Sequence, residues 1–133
     1  MAVLNYLYAK KYGGTIVFRS EDTDKERSKP EFEQEILRSL EWLGLRYDEA
    51  VVRQSQRLSR YAEMARGLVA KGLAYEEETE GQTAVKFRMP RREVVIQDLV
   101  HGEVKFDASL FEDIVLLKSD GYPTYHMACV IDD

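Results

Sequence analysis

Apolar positions set the first elements. Over residues 2–12, Val3, Leu4, Leu7 and Tyr8 recur at helical spacing, and Gly13-Gly14 then supplies a stop that tolerates positive φ. Thr15-Ile16-Val17-Phe18 is β-branched and aromatic and predicts a short buried strand, followed directly by the polar turn Glu21-Asp22-Thr23-Asp24. Ser28 and Glu31 have the capping-box spacing, with Pro30 in the first turn where its missing N–H costs nothing. The helix they open carries Ile36, Leu37, Leu40 and Leu43 on one stripe and stops at Gly44. Ser55 predicts the cap of a second amphipathic helix, with Leu58, Tyr61, Ala65, Leu68 and Val69 inward and a stop at Gly72.

Beyond Gly72 the period drops to two. Val85, Phe87 and Met89 alternate with Lys86 and Arg88, and Pro90 ends that strand. Val94–Gln97 and Glu103–Phe106 flank a turn at His101-Gly102, which reads as a hairpin. Ile114–Leu117 predicts a buried strand broken by Ser119-Asp120-Gly121-Tyr122-Pro123. Thr124–Asp133 is open between strand and helix. The sum is an α/β layout, helical first and β-rich second, with a subdomain boundary expected near Glu76–Gln82.

Length and charge narrow the classes. A chain of 133 residues fits one ordinary domain, and 44% hydrophobic with 32% charged residues excludes a disordered chain. The net charge is −5, with 11 Lys/Arg against 10 Asp/Glu up to Arg60 and 8 against 14 after it, so the chain is not a basic nucleic-acid binder by composition. No run is apolar and long enough to cross a membrane, and no secretory signal is visible. One cysteine, Cys129, reads as buried structure, and with two histidines a metal site built by the protein is not expected. The cytoplasm is the expected location.

Two strings could carry chemistry. Glu21, Asp22 and Asp24 crowd the carboxyl end of a predicted strand, where open α/β sheets place their ligands. Carboxylates there can hold an ammonium group, while Arg19 or Arg27 can meet phosphate; a salt-bridged strand-to-helix connection explains the same letters. In Lys118-Ser119-Asp120-Gly121-Tyr122-Pro123-Thr124-Tyr125-His126, two tyrosines and a histidine around a rigid turn suit a small-molecule pocket, and equally a turn capped by aromatics. Arg53, Arg57, Arg60, Arg66 and Lys71 read as a solvated face on or beside the second helix, with a phosphate-binding patch as the alternative. Trp42 reads as core.

Taken together, these strings resemble a bacterial-type glutamyl-tRNA synthetase, a class I aminoacyl-tRNA synthetase. The matching stretches include Leu4-Asn5-Tyr6-Leu7, Arg19-Ser20-Glu21-Asp22-Thr23-Asp24, Glu41-Trp42-Leu43-Gly44-Leu45 and Gln54-Ser55-Gln56-Arg57. They continue with Val85–Pro90, Asp98–Gly102, Lys118–His126 and Asp132-Asp133, in the family's order. The resemblance implies an incomplete Rossmann-type catalytic domain with a connective α/β insertion. On that scheme residues 1–75 are part of the adenylation half, 76–113 part of the subdomain that binds the tRNA acceptor end, and 114–133 a return to the core.

The resemblance also implies a chemistry: ATP, with Mg2+, and glutamate give glutamyl-adenylate, and tRNA(Glu) then takes the glutamyl group. Glu21 is expected to contact the amino group of glutamate and Tyr125 to line the same pocket, while Thr23, Asp24 and Arg27 match positions near the acceptor end. No catalytic residue and no zinc is expected. Two other readings are a truncated, non-catalytic paralogue that docks tRNA or a synthetase, and a glutamyl-queuosine tRNA synthetase relative.

Departures from the family pattern accompany these matches. Signature segments of the HIGH and KMSKS types are absent from the 133 residues, the link between Tyr75 and Thr83 is short, and Ser20 replaces a usual aliphatic residue. A Rossmann half with an unpaired strand edge is expected to self-associate. With no loop to neutralise the triphosphate, the 133-residue polypeptide alone is expected to give no glutamate-dependent ATP–pyrophosphate exchange; measurable exchange would overturn this.

Overall fold

In a computed structural model of the chain, residues 1–24 and 28–133 are described. They form two compact units, Met1–Leu58 and Ser59–Asp133.

The first unit opens with α1 (Ala2–Tyr12), stopped by Gly13 in the left-handed region at φ 65°. The next segment departs from the buried strand expected at Thr15–Phe18. Ile16 and Phe18 are half-buried while Thr15 and Val17 are exposed, so only one side is covered. The paired strand lies just downstream, β1 (Arg19–Ser20), parallel to β2 (Val52–Arg53) with Arg19 opposite Val52. A strand buried on both faces needs a layer packed on each, and Thr15–Phe18, outside the paired strands, is covered on one side only.

Between β1 and β2 runs α2 (Pro30–Trp42). The expected capping box at Ser28 does not form: the N-cap is Lys29, extended at φ −92° and ψ 142°, and no side chain caps the helix. Pro30 explains the shift, because it occupies the first helical position and forces the residue before it out of helical geometry. Trp42 is 85% exposed, contrary to the core reading. The stripe of Ile36, Leu37, Leu40 and Leu43 is centred about 150° round the helix from Trp42 at 100° per residue, so the indole is on the far side. Ser55 does not cap a helix either; it lies in a 3-10 turn (Gln54–Arg57) ahead of α3.

The second unit holds α3 (Leu58–Ala70), on which Tyr61 and Ala65 are fully buried and Leu58, Leu68 and Val69 half-buried. An antiparallel sheet of order β3-β4-β7 follows, from β3 (Ala74–Thr79), β4 (Gln82–Phe87) and β7 (Ile114–Leu117). The acidic run Glu76–Glu78, expected near a boundary, is part of β3. Facing residues Ala74, Glu76 and Glu78 alternate with Tyr75, Glu77 and Thr79; Ala74 is buried, and Glu77 reaches Lys86 at 2.5 Å. Glu80 and Gly81, at φ 54° and 76°, close the β3–β4 hairpin as the two-residue turn that suits strand twist.

The expected second hairpin is present as β5 (Glu93–Asp98) paired with β6 (Gly102–Asp107). Its tip is tied by Asp98, whose Oδ1 accepts from the N–H groups of Val100 and His101 at 2.8 Å each. The ambiguous end of the chain is helical, α4 (Tyr125–Asp132), packed on β7 with Met127 and Ala128 buried. Cys129 is half-buried rather than buried.

The buried Tyr61 hydroxyl donates to Asp132 Oδ2 at 2.6 Å, joining α3 to α4 across 71 positions of sequence. Tyr61→Phe keeps the ring and removes that bond, so urea denaturation should show a loss of about 1–2 kcal/mol with an unchanged m-value. An unchanged midpoint would show the bond contributes nothing.

Candidate functional site

The parallel pairing of β1 and β2 brings three carboxylates to one cleft of about 520 Å³ in the first unit, lined among others by Phe18, Arg19, Glu21, Asp22, Glu33 and Arg53. Each acid is differently engaged. Glu33, on α2, receives Arg53 Nη2 at 2.6 Å and Nε at 3.1 Å, a forked guanidinium–carboxylate pair. Arg53 therefore does not belong to a solvated face of α3. Asp22 accepts from the Ser55 N–H at 2.8 Å and the Ser55 hydroxyl at 2.5 Å. Glu21 is exposed at the mouth, with Arg19 Nη2 at 3.3 Å.

Glu21, Thr23 and Asp24 share the loop that leaves β1, with Thr23 half-buried and the Asp24 carbonyl accepting from the Ser28 N–H at 2.9 Å. Arg27 lies outside the described residues. Tyr125 belongs to the second unit, where it is exposed as the first residue of α4 with its ring 5.6 Å from that of His126, edge-on. His126 is exposed. The reading of the sequence missed the Glu33–Arg53 pair and the Asp22–Ser55 tie. A signal for the strand carrying Arg53 was available in the β-branched Val51-Val52 pair just before it.

Chemically, the cleft carries both signs of charge: Glu21, Asp22 and Glu33 line it with Arg19, Lys29 and Arg53, and Arg53 is already committed to Glu33. Among the described residues no group of three or more His, Cys, Asp or Glu is arranged to hold a metal ion, and no helix is long and apolar enough to cross a membrane.

The Glu33 carboxyl is held below its ordinary value, chiefly by the hydrogen bonds from Arg53, against an opposing effect of burial and with help from Ser20. A carboxyl depressed on folding stabilises the native state fully above its unfolded value of about 4.3, and that stability is lost as pH falls through the lower folded value. Denaturation midpoints measured from pH 5.5 down to 3 should fall less steeply in Glu33→Gln than in the parent chain. Parallel profiles would contradict the assignment.

Comparison with known proteins identifies the family. A family model described as the catalytic domain of class I tRNA synthetases (E and Q) matches residues 1–83 and 76–133. Glutamate--tRNA ligase 1 of Rubrobacter xylanophilus is 49% identical over 133 residues, covering 99% of this chain and 30% of that protein. Glutamate--tRNA ligase 2 of Thermosipho melanesiensis is 38% identical over 158 residues, covering 99% of this chain and 34% of that protein. A crystal structure of a glutamate tRNA ligase from Elizabethkingia meningosepticum in complex with its amino acid superposes with a TM-score of 0.89 at 27% identity, covering 99% of this chain and 37% of that one.

The chain thus spans about a third of the length of these relatives. The two family matches overlap at residues 76–83, the β3–β4 turn region, and the Thermosipho alignment is longer than the chain whereas the Rubrobacter alignment is not. The relatives thus differ in length over the matched region. By its family match, its relatives and its fold, the chain belongs to the class I tRNA synthetases of the E and Q group, as part of their catalytic domain.

Proposed function

We propose that this chain forms part of the catalytic core of a glutamate–tRNA ligase, which activates glutamate with ATP and transfers it to tRNA(Glu) in the cytoplasm. The observation that carries the reading is the identity of 49% along essentially the whole chain with a glutamate--tRNA ligase. On this reading Glu21 faces the ammonium group of glutamate, and Tyr125 lines the pocket. Thr23, Asp24 and Arg27 serve the acceptor end of the tRNA.

The domain assignment goes with it: residues 1–75 in the adenylation half, 76–113 in the connective subdomain, 114–133 in the returning core. Glu21 acts by charge and position rather than by bond-making, because the activation step joins substrate carboxylate to phosphate with no covalent enzyme intermediate. Mg2+ arrives with the ATP phosphates, and no residue of this chain is assigned to it. Residues that neutralise the triphosphate are not among the 133, so the polypeptide alone forms no adenylate. Self-association belongs to the same proposal, since Val3, Leu4, Leu7 and Tyr8 of α1 are exposed.

The test is a segment exchange. Residues 1–133 replace the matching segment of the Rubrobacter xylanophilus glutamate--tRNA ligase 1, and glutamate-dependent ATP–pyrophosphate exchange is measured. Activity is expected, and Glu21→Gln should raise the KM for glutamate about tenfold or more while the KM for ATP holds. A folded but inactive chimera, or a Glu21→Gln variant with unchanged KM, would overturn the reading.

A further inference from the structure

The loop carrying Glu21 has no regular secondary structure of its own, yet it must hold one carboxylate at a defined place in the cleft. The pairing that precedes it is short. Arg19 lies opposite Val52 and Ser20 opposite Arg53, and there the backbone ladder ends. Two residues further on, at the same offset of 33 positions, Asp22 meets Ser55. Its side chain takes over where the backbone carbonyls stop, accepting the Ser55 N–H at 2.8 Å and the Ser55 hydroxyl at 2.5 Å.

Ser55 is the second residue of the 3-10 turn Gln54–Arg57, whose preceding residue, Arg53, supplies no side-chain cap. The first N–H groups of such a turn have no partner within it, and a cap satisfies the N–H at this position. Asp22 therefore caps this turn from a distant part of the chain. Ser55 lies inside the turn rather than at its N-cap, which is Arg53, and its hydroxyl donates to Asp22. The Glu33–Arg53 pair lines the same cleft as Asp22.

We infer that Asp22 is the positioning residue of this site: by capping the 54–57 turn with its side chain it fixes the backbone from which Glu21 reaches the amino group of the substrate. The inference rests on the reading of Glu21 as the ammonium contact. Asp22 itself touches no reacting atom. Its carboxylate has its two donors on Ser55, which leaves Glu21 as the acid presented at the mouth. Adjacent acids thus divide the work, one held inward and one held out.

The experiment uses two readouts. Amide hydrogen exchange is measured on the full 133-residue chain for the parent, Asp22→Ala and Asp22→Asn; exchange at Ser55 and at residues 21–24 should quicken about tenfold or more in Asp22→Ala. Asn, which can still accept the N–H, should recover most of that protection. In the chimera, Asp22→Ala should raise the KM for glutamate about tenfold with kcat and the KM for ATP changed by less than about threefold, again with recovery in Asp22→Asn. Ser55→Ala, which removes one donor of the two, should move the same readouts about threefold in the same direction, and it decides the matter if Asp22→Ala does not fold. Unchanged exchange at residues 21–24 overturns the inference, as does quickened exchange with an unchanged KM for glutamate, which would make Asp22 structural only. If the parent chimera shows no glutamate dependence, the functional reading fails by itself, and the exchange data alone then decide whether Asp22 orders the loop.

Discussion

The first unit depends on a parallel pairing only two residues long, which backbone hydrogen bonds alone would hold poorly. Carboxylates bracket it. Upstream, the N–H of Ile16 donates to Asp48 Oδ2 at 2.8 Å while the N–H of Asp48 donates back to the Ile16 carbonyl at 2.8 Å. Downstream, Asp22 performs the same service for Ser55. Between them, the N–H of Val52 reaches the Phe18 carbonyl at 3.0 Å. Side chains prolong a ladder that the backbone begins, and the loop with Glu21 inherits its placement from that arrangement.

The second unit is stabilised differently. Its β3–β4 and β5–β6 ladders are each six residues long and closed by tight turns, so their register is set locally. Its larger buried side chains are Tyr61, Val85, Leu116, Pro123 and Met127, and the Tyr61–Asp132 bond adds a directional tie between α3 and α4. The exposed face of the sheet is laced with charge, including Arg88 stacked 4.5 Å from the Tyr75 ring centroid.

Much of this was legible in the letters, for reasons that can be named. Helical spacing with a glycine stop located α3, whose Tyr61 and Ala65 are buried, and alternation located β4, because burial on one face imposes those periods directly; α1 shows the same spacing although its stripe is exposed, while β5, β6 and β7 were marked by their turns and by an apolar run. The failures share a cause: they turned on partners far away in sequence. Thr15–Phe18 has strand-forming residues, but its cover depends on which segments lie beside it. Trp42 looked like core by type, while its angular position on α2 put it outside. Ser55 is an excellent cap by chemistry, but it lies inside a 3-10 turn that starts at Gln54, tied to Asp22 33 residues earlier. β3 was hidden by three glutamates that a strand tolerates when a lysine stands diagonally across. For the site, the resemblance offered Glu21, Thr23 and Asp24 as candidates, whereas the Glu33–Arg53 fork was out of its reach, since nothing local links a helix residue to a strand 20 positions on.

The β3–β4 hairpin separates length from register. Its six facing pairs are complete before the Glu80-Gly81 bend is reached, so whatever is spliced into that bend leaves every pair beneath it in place. The bend therefore has only to turn the chain around, and the rungs of the two strands carry the alignment by themselves.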